Sequence, residues 1–265
     1  MKPLGLKVQR HFRRFGLRDG VRLIPLKLAR RVAGSAGRRW EHPYLHDFQT
    51  TPQNIYSAAE HILVRCTAAT PNAIAGLRDE FEVLRARLEE RRATRRLAYP
   101  EHYTIRNEAA FLIYGLVRLR RFESILETGV ANGHSTYYLL HALRANGAGR
   151  LCSVDIGTDV GVLVDPPERA DWTYVALQAG REREDFQACV DRLRPIDLFL
   201  HDSDHTYWWQ MFEYRYAWPS ITSGGLFLSD NIDHSFAFLD FCAERNVEPV
   251  VLISGLRVFG LVEAS

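Results

Sequence analysis

Four cysteines in 265 residues (Cys66, Cys152, Cys189 and Cys242) are too few and too scattered for a disulfide framework. None stands in the paired spacing of a zinc knuckle, so reduced thiols and a cytoplasmic address are expected. No apolar run reaches the length of a membrane span, and the basic N-terminus lacks the apolar centre of a signal peptide. Net charge is scant, +2 overall. It is unevenly spread, because residues 1–40 hold twelve Lys/Arg and one acid, Asp19, leaving the remainder acidic. A dinucleotide fingerprint is missing too. Counting from Gly129, the second and third glycine places of Gly-x-Gly-x-x-Gly hold Ala131 and His134.

What is present divides the chain into three. Residues 1–40 form a basic arm that ends in a hinge-like Ala33-Gly34-Ser35-Ala36-Gly37. Its interleaved arginines and apolar residues suit an amphipathic arm lying on an acidic membrane surface, a partner or a nucleic acid; the preferred reading is a poorly ordered or partner-packed extension with no role in the chemistry. Residues 41–98 read as a helical extension, a lid or dimer element, with helices over 54–67 and 71–97 whose many charges form a wet face. Residues 99–265 alternate helix and strand. Helices are expected over 105–119, 185–193, 208–221 and 236–244, and strands end at Leu126, Asp155, Leu177, Leu200 and Ser229. A closing antiparallel pair, 247–253 and 257–262, turns through Ser254-Gly255. The expected fold is α/β: a doubly wound, Rossmann-like, seven-stranded sheet, mostly parallel, with an antiparallel C-terminal hairpin.

The organising stretch is Ile125 to Thr136, strand, glycine loop and helix. Two glycines permit a tight turn and close approach of a ligand to bare backbone. The helix that follows points unpaired N–H groups at whatever lies above the turn. Glu127, then Gly129 and Gly133 four apart, resembles motif I of class I S-adenosylmethionine-dependent methyltransferases. A carboxylate beside the loop suits a cationic cofactor and would repel pyrophosphate. The resemblance, which covers roughly Tyr99 to Val262, implies a cofactor site built from Tyr103, Glu127, Gly129, Ala131, Asn132, Gly133, Ser135, Thr136, Asp155 and Asp202. Asp155, at the carboxyl end of its strand, stands where an acid accepts ribose hydroxyls.

Asp202 ends the fourth strand of this domain and Asp230-Asn231 ends the fifth. The pattern is similar to metal-dependent O-methyltransferases of the catechol O-methyltransferase type. Segment 196–207 also looks like bacterial enzymes acting on sugars and antibiotics. Oxygen ligands with few carboxylates suit Mg²⁺, to be held by Asp202, Asp230 and Asn231. The catechol-type lysine base is replaced by His205, which keeps the role of a base near neutral pH. The expected activity is methylation of a small-molecule hydroxyl, a sugar or glycosylated natural product in preference to a phenol, by a homo-oligomer. No nucleic-acid partner is expected, because the body is acidic and no Asn-Pro-Pro-Tyr-like motif follows the fourth strand. Two alternatives stand beside this: a metal-independent enzyme with His205 alone as base, and an RNA methyltransferase using the basic arm.

Overall fold

The computed structural model describes residues 48–49, 54–254 and 257–265. The basic arm and the Gly255 turn lie outside the described residues. One sheet runs in the order β1-β7-β8-β6-β5-β2-β3-β4. Its strands are β1 (Phe48–Gln49), β2 (Ser124–Thr128), β3 (Arg150–Asp155), β4 (Trp172–Ala176), β5 (Ile196–His201), β6 (Ile221–Ser229), β7 (Val250–Ser254) and β8 (Arg257–Glu263). All neighbours pair in parallel except β8, which runs antiparallel to β6 and β7. These are the seven expected strands plus the two-residue β1 at the edge.

Strand side chains alternate between two apolar layers, as the two-residue period requires. Ile125, Leu151, Leu198, Leu200 and Leu228 face one layer with helices α1 (Ser57–Thr67), α2 (Pro71–Thr94), α3 (Asn107–Arg120) and α4 (His134–Asn146). Leu126, Val154, Phe199 and Phe227 face the other with α5 (Glu182–Leu193), α6 (Tyr207–Ala217) and α7 (Ala237–Arg245). Burial on both faces explains why these strands read as continuous apolar runs.

Several boundaries differ from expectation, each for a local reason. Helix α5 begins at Glu182 rather than Asp185, gathering Glu182, Glu184 and Asp185 in the first turn, where carboxylates complement the helix dipole. Helix α6 stops at Ala217 because Pro219 has no N–H to donate; a 3₁₀ turn, Trp218–Ser220, follows. Ser223-Gly224-Gly225, expected as a turn, lies within β6, where Gly224 takes φ 77° and the pairing with β5 shifts register. Helix α2 ends at Thr94, three residues early. Its terminal charges are also not a wet face. Arg91 forms a fork on Glu168 (2.6 and 2.8 Å), and Arg95 bonds Asp165 at 2.6 Å and the Val162 carbonyl at 2.7 Å. These bonds staple α2 to the loop between β3 and β4, which in turn lies on the glycine loop: Gly161 N–H donates to Ala131 O and Leu163 N–H to Asn132 O.

The chain leaves β2 outward through β3 and β4, then returns to β5 on the other side of β2. Ligands of doubly wound sheets bind at the carboxyl ends flanking such a reversal. Gly129, Asp202 and Asp230 all follow strands that end there, on the adjacent β2, β5 and β6.

Candidate active site

The loop after β2 is held from below. Glu127 is fully buried and accepts from Ser135 Oγ (2.6 Å), Thr136 Oγ1 (2.8 Å) and Ser153 Oγ (2.6 Å). Burial pushes its carboxyl up, against those three hydroxyl donors. Glu127, Ser135 and Thr136 were expected to line a cofactor; the structure commits their side chains to one another beneath the loop. The reason is geometric: Glu127 is an inward residue of a strand covered on both faces. The two glycines are obligatory. Gly129 (φ 86°) has the Asp202 carbonyl oxygen 2.1 Å from where a Cβ would stand, and Gly133 (φ 88°) has the Gly161 Cα at 2.8 Å. Asp202 N–H also donates to Thr128 O (2.8 Å), so the backbone carrying Asp202 rests on the glycine loop.

Asp155 turns toward the same loop. Its Oδ2 accepts from Val130 N–H (2.7 Å) and Ala131 N–H (3.1 Å), and Oδ1 accepts from Gly157 N–H (2.9 Å). The expected ribose acceptor thus shapes the loop backbone, with lone-pair capacity remaining on each oxygen. Asn132, another expected cofactor residue, is a clamp. Its Oδ1 accepts from Ala98 and Tyr99 N–H (3.1 and 3.0 Å), and its Nδ2 donates to Tyr99 O (2.7 Å). Residues 98–103 therefore form a strap anchored on the glycine loop, with Tyr103 59% exposed at its far end beside His102. Ala131 (φ 45°) contributes backbone only. No side chain among the described residues caps α4, whose first-turn N–H groups face outward past Gly133.

His134 opens α4. It is buried against Tyr138 (ring centroids 5.3 Å), and neither ring nitrogen has a hydrogen-bond partner among the described residues. Burial, helped by the Arg92 charge, pushes its imidazole down to about 3. An unfolded chain protonates this side chain near its ordinary value of about 6.5, so between the two values the unfolded state binds the extra proton. Stability is thus intact above about 6.5 and falls with falling pH by about 1.4 kcal/mol per unit. His134→Phe is expected to flatten the slope of unfolding free energy between about pH 6 and pH 4 by one proton, read from urea unfolding. An unchanged slope would show that the imidazole charges in the folded state.

At the neighbouring strand ends, Asp202, His205 and Asp230 converge, one ligand atom of each lying within 4.8 Å of the others. Burial, then the charges of Asp230 and Glu127, pushes the Asp202 carboxyl well up. Asp230 is raised by burial, against the opposing charge of Arg257. His205 Nε2 stands 3.7 Å from Asp202 Oδ1 and 3.2 Å from Asn231 Nδ2. An amide N–H facing Nε2 requires that nitrogen to be an acceptor, which assigns the neutral tautomer with its proton on Nδ1.

Asn231, expected as an oxygen ligand, is turned the other way. Its Oδ1 accepts from Arg257 Nη1 (2.8 Å), while Nδ2 donates to Asp230 Oδ2 (2.7 Å). Flipping the amide would set oxygen against carboxylate and NH₂ against guanidinium, so the surrounding charges fix its orientation. Asn231 holds φ 50°, uncommon for a non-glycine residue and a mark of a constrained site.

Two residues that sequence reasoning missed complete the site. Arg257 lies 3.7 Å from Asp230 Oδ2 and donates through Nη2 to the His102 carbonyl (2.8 Å). Glu213 of α6, fully buried, accepts from Thr128 Oγ1 (2.8 Å), His201 Nδ1 (2.6 Å), Ser203 Oγ (3.0 Å) and Trp209 Nε1 (2.7 Å). His201 is therefore a buried partner of Glu213. Among the aromatics, Tyr207 is tied to Asp240 on α7 (3.0 Å), whereas Trp208 stands 64% exposed.

Residues 126–232 match the family model of a methyltransferase domain. The match runs from β2 to the end of the Asp230–Asn231 corner, so it spans both the glycine loop and the acid pair. A putative caffeoyl-CoA O-methyltransferase from Staphylococcus aureus is similar in structure at 13% identity, over 77% of this chain and 99% of that one, with a TM-score of 0.49. A putative O-methyltransferase from Klebsiella pneumoniae shares 17% identity over 79% and 97%, TM-score 0.48. The O-methyltransferase TomG from Streptomyces achromogenes, solved with S-adenosylmethionine, shares 14% over 82% and 100%, TM-score 0.49. A search of curated proteins finds no match.

Proposed function

We propose that the methyltransferase domain transfers the methyl group of S-adenosylmethionine to a hydroxyl oxygen of a small molecule. The observation that carries this reading is the convergence of Asp202, His205 and Asp230 beside the bare glycine loop. The outward N–H groups at the start of α4 suit the cofactor's carboxylate, and Asp155 retains acceptor capacity for ribose. A sugar or glycosylated acceptor is favoured by the resemblance of segment 196–207.

The donor set also fits a divalent cation. Two carboxylates, Asp202 raised by burial and then by the charges of Asp230 and Glu127, and Asp230 raised by burial, gain from a positive charge. Asp202 and Asp230 would hold it with water, leaving His205 Nε2 beside them as the base, and Mg²⁺ is the ion that the chemistry of the family suggests. When bound, such an ion polarises an acceptor hydroxyl and lowers its pKa. The chain's own work is then to orient that hydroxyl at the Asp202 edge of the glycine loop and to receive its proton at His205 Nε2. Position and a preset tautomer supply most of the advantage. A second reading, metal-independent transfer with His205 as sole base, is favoured by Arg257, which already brings one positive charge to Asp230.

The test is titration calorimetry with S-adenosylmethionine, with and without Mg²⁺, on wild type and Asp230→Ala, followed by transfer of labelled methyl to a panel of sugar and phenol hydroxyls. Saturable cofactor binding and labelling of a hydroxyl are expected. Absence of cofactor binding overturns the reading. Cofactor binding with no Mg²⁺ heat in wild type selects the metal-independent form.

A further inference from the structure

We propose that Arg257 is a resident counter-cation that competes with a divalent metal for the Asp230–Asn231 corner, and that its displacement loosens the 98–103 strap. The inference rests on the divalent-cation reading above and adds an antagonist to it.

Three contacts carry it. Arg257 Nη1 occupies Asn231 Oδ1 at 2.8 Å, the one atom of that amide that a hard cation would use. The same nitrogen lies 3.7 Å from Asp230 Oδ2, supplying positive charge to a carboxylate that a metal would otherwise neutralise. Arg257 Nη2 donates to His102 O at 2.8 Å. For Asn231 to offer oxygen to an ion, its amide must give up Arg257 or share Oδ1 with it. A guanidinium and a divalent ion placed on adjacent oxygens repel each other in a poorly solvated corner. The two cations therefore exclude each other, wholly or in proportion to how far Arg257 can retreat.

The second consequence follows from the strap. Residues 98–103 are tied at one end to the glycine loop through Asn132 and at the other to β8 through Arg257 and His102. Removing Arg257 from the corner removes the second anchor and leaves the first. The 3₁₀ turn Glu101–Tyr103, closed by Tyr103 N–H to Pro100 O and Thr104 N–H to Glu101 O, is then free to open. Metal and a closed strap become thermodynamically antagonistic, each weakening the other by the same factor.

The experiment is Mn²⁺ titration of the full chain, read as free-ion electron paramagnetic resonance, for wild type, Arg257→Met, Arg257→Lys and Asp230→Asn. Arg257→Met is expected to bind Mn²⁺ about tenfold more tightly than wild type, since a like charge beside the ion is gone. Arg257→Lys is expected to fall between them, because an ammonium keeps the charge but cannot reach Asn231 and His102 together. If Arg257→Met fails to fold, the lysine variant carries the comparison. Equal or weaker binding in these variants, with binding abolished in Asp230→Asn, overturns the competition while leaving the cation site standing. No Mn²⁺ binding in any variant overturns both. In hydrogen exchange, Mn²⁺ should accelerate the Tyr103 and Thr104 amides of wild type, and unchanged rates overturn the link to the strap.

Discussion

Glu213→Ala is expected to cost about 4 kcal/mol of folding stability or more, enough to leave a marginal domain partly unfolded. Glu213 is completely buried and takes hydrogen bonds from four donors on three elements: Thr128 at the end of β2, His201 at the end of β5, and Ser203 and Trp209 at the entry to α6. Alanine removes the acceptor and leaves those donors without water, each costing about 1–3 kcal/mol less whatever relaxation recovers. Glu213→Gln keeps the shape but offers one oxygen in place of two, and its NH₂ faces donors. It is expected to recover only part of the loss. Urea unfolding of both variants measures this, and a Glu213→Ala value within about 1 kcal/mol of wild type would contradict the role given to the carboxylate.

The consequence reaches the chemistry. His201 and Trp209 bracket Asp202 and His205 in sequence, so Glu213 fixes both ends of the segment that presents them. Nothing in that arrangement needs Glu213 to touch a substrate. A variant that still folds should therefore show weakened turnover with cofactor affinity nearly unchanged, because the glycine loop keeps its own support from Glu127.

How much of this was legible beforehand depends on whether a residue's partners lie within its own element. The alternation of strands and helices, the glycine loop and the final hairpin rest on local periodicity and turn chemistry, and they stand in the structure as expected. So does the meeting of Asp202 and Asp230, which follows from strand order once the reversal beside β2 is granted. The orientation of Asn231 was not legible, since it depends on Arg257, 26 residues later. A signal existed even so. An antiparallel strand begins at the edge where its parallel neighbours end, so the first residue of β8 had to stand beside Asp230-Asn231. Glu213 is the harder case. It sits among aromatics in α6, and only its spacing from Gln210, Met211 and Tyr214, all buried, marks that face as the inward one. Conversely, the polar residues around motif I were read as cofactor contacts, whereas Glu127, Ser135, Thr136 and Asn132 satisfy one another or the strap. A short polar side chain beside a buried carboxylate is claimed by it first, because an unpaired charge there is costlier than an unoccupied ligand site.

His205→Asn is expected to lower kcat by about 10²–10⁴-fold on the best acceptor from the hydroxyl panel, the range for loss of a positioned general base. The structure offers this imidazole two tasks, and the variant separates them. As base, Nε2 receives the acceptor's proton; its tautomer is set by the Asn231 amide at 3.2 Å. As metal ligand, the same atom is held with Asp202 and Asp230 and has no lone pair to spare for a proton. A base predicts that kcat collapses while Mn²⁺ affinity stays within about twofold of wild type, because two carboxylates and water still hold the ion. A ligand predicts a large loss of Mn²⁺ affinity, with activity restored by raising the metal concentration. Imidazole added to His205→Gly supplies the third readout: a base in a vacated slot can be replaced from solution without any change in metal binding. We expect the first pattern. Asp202 Oδ1 at 3.7 Å from Nε2 is too far to hydrogen-bond yet close enough to stabilise the imidazolium that forms when the proton arrives.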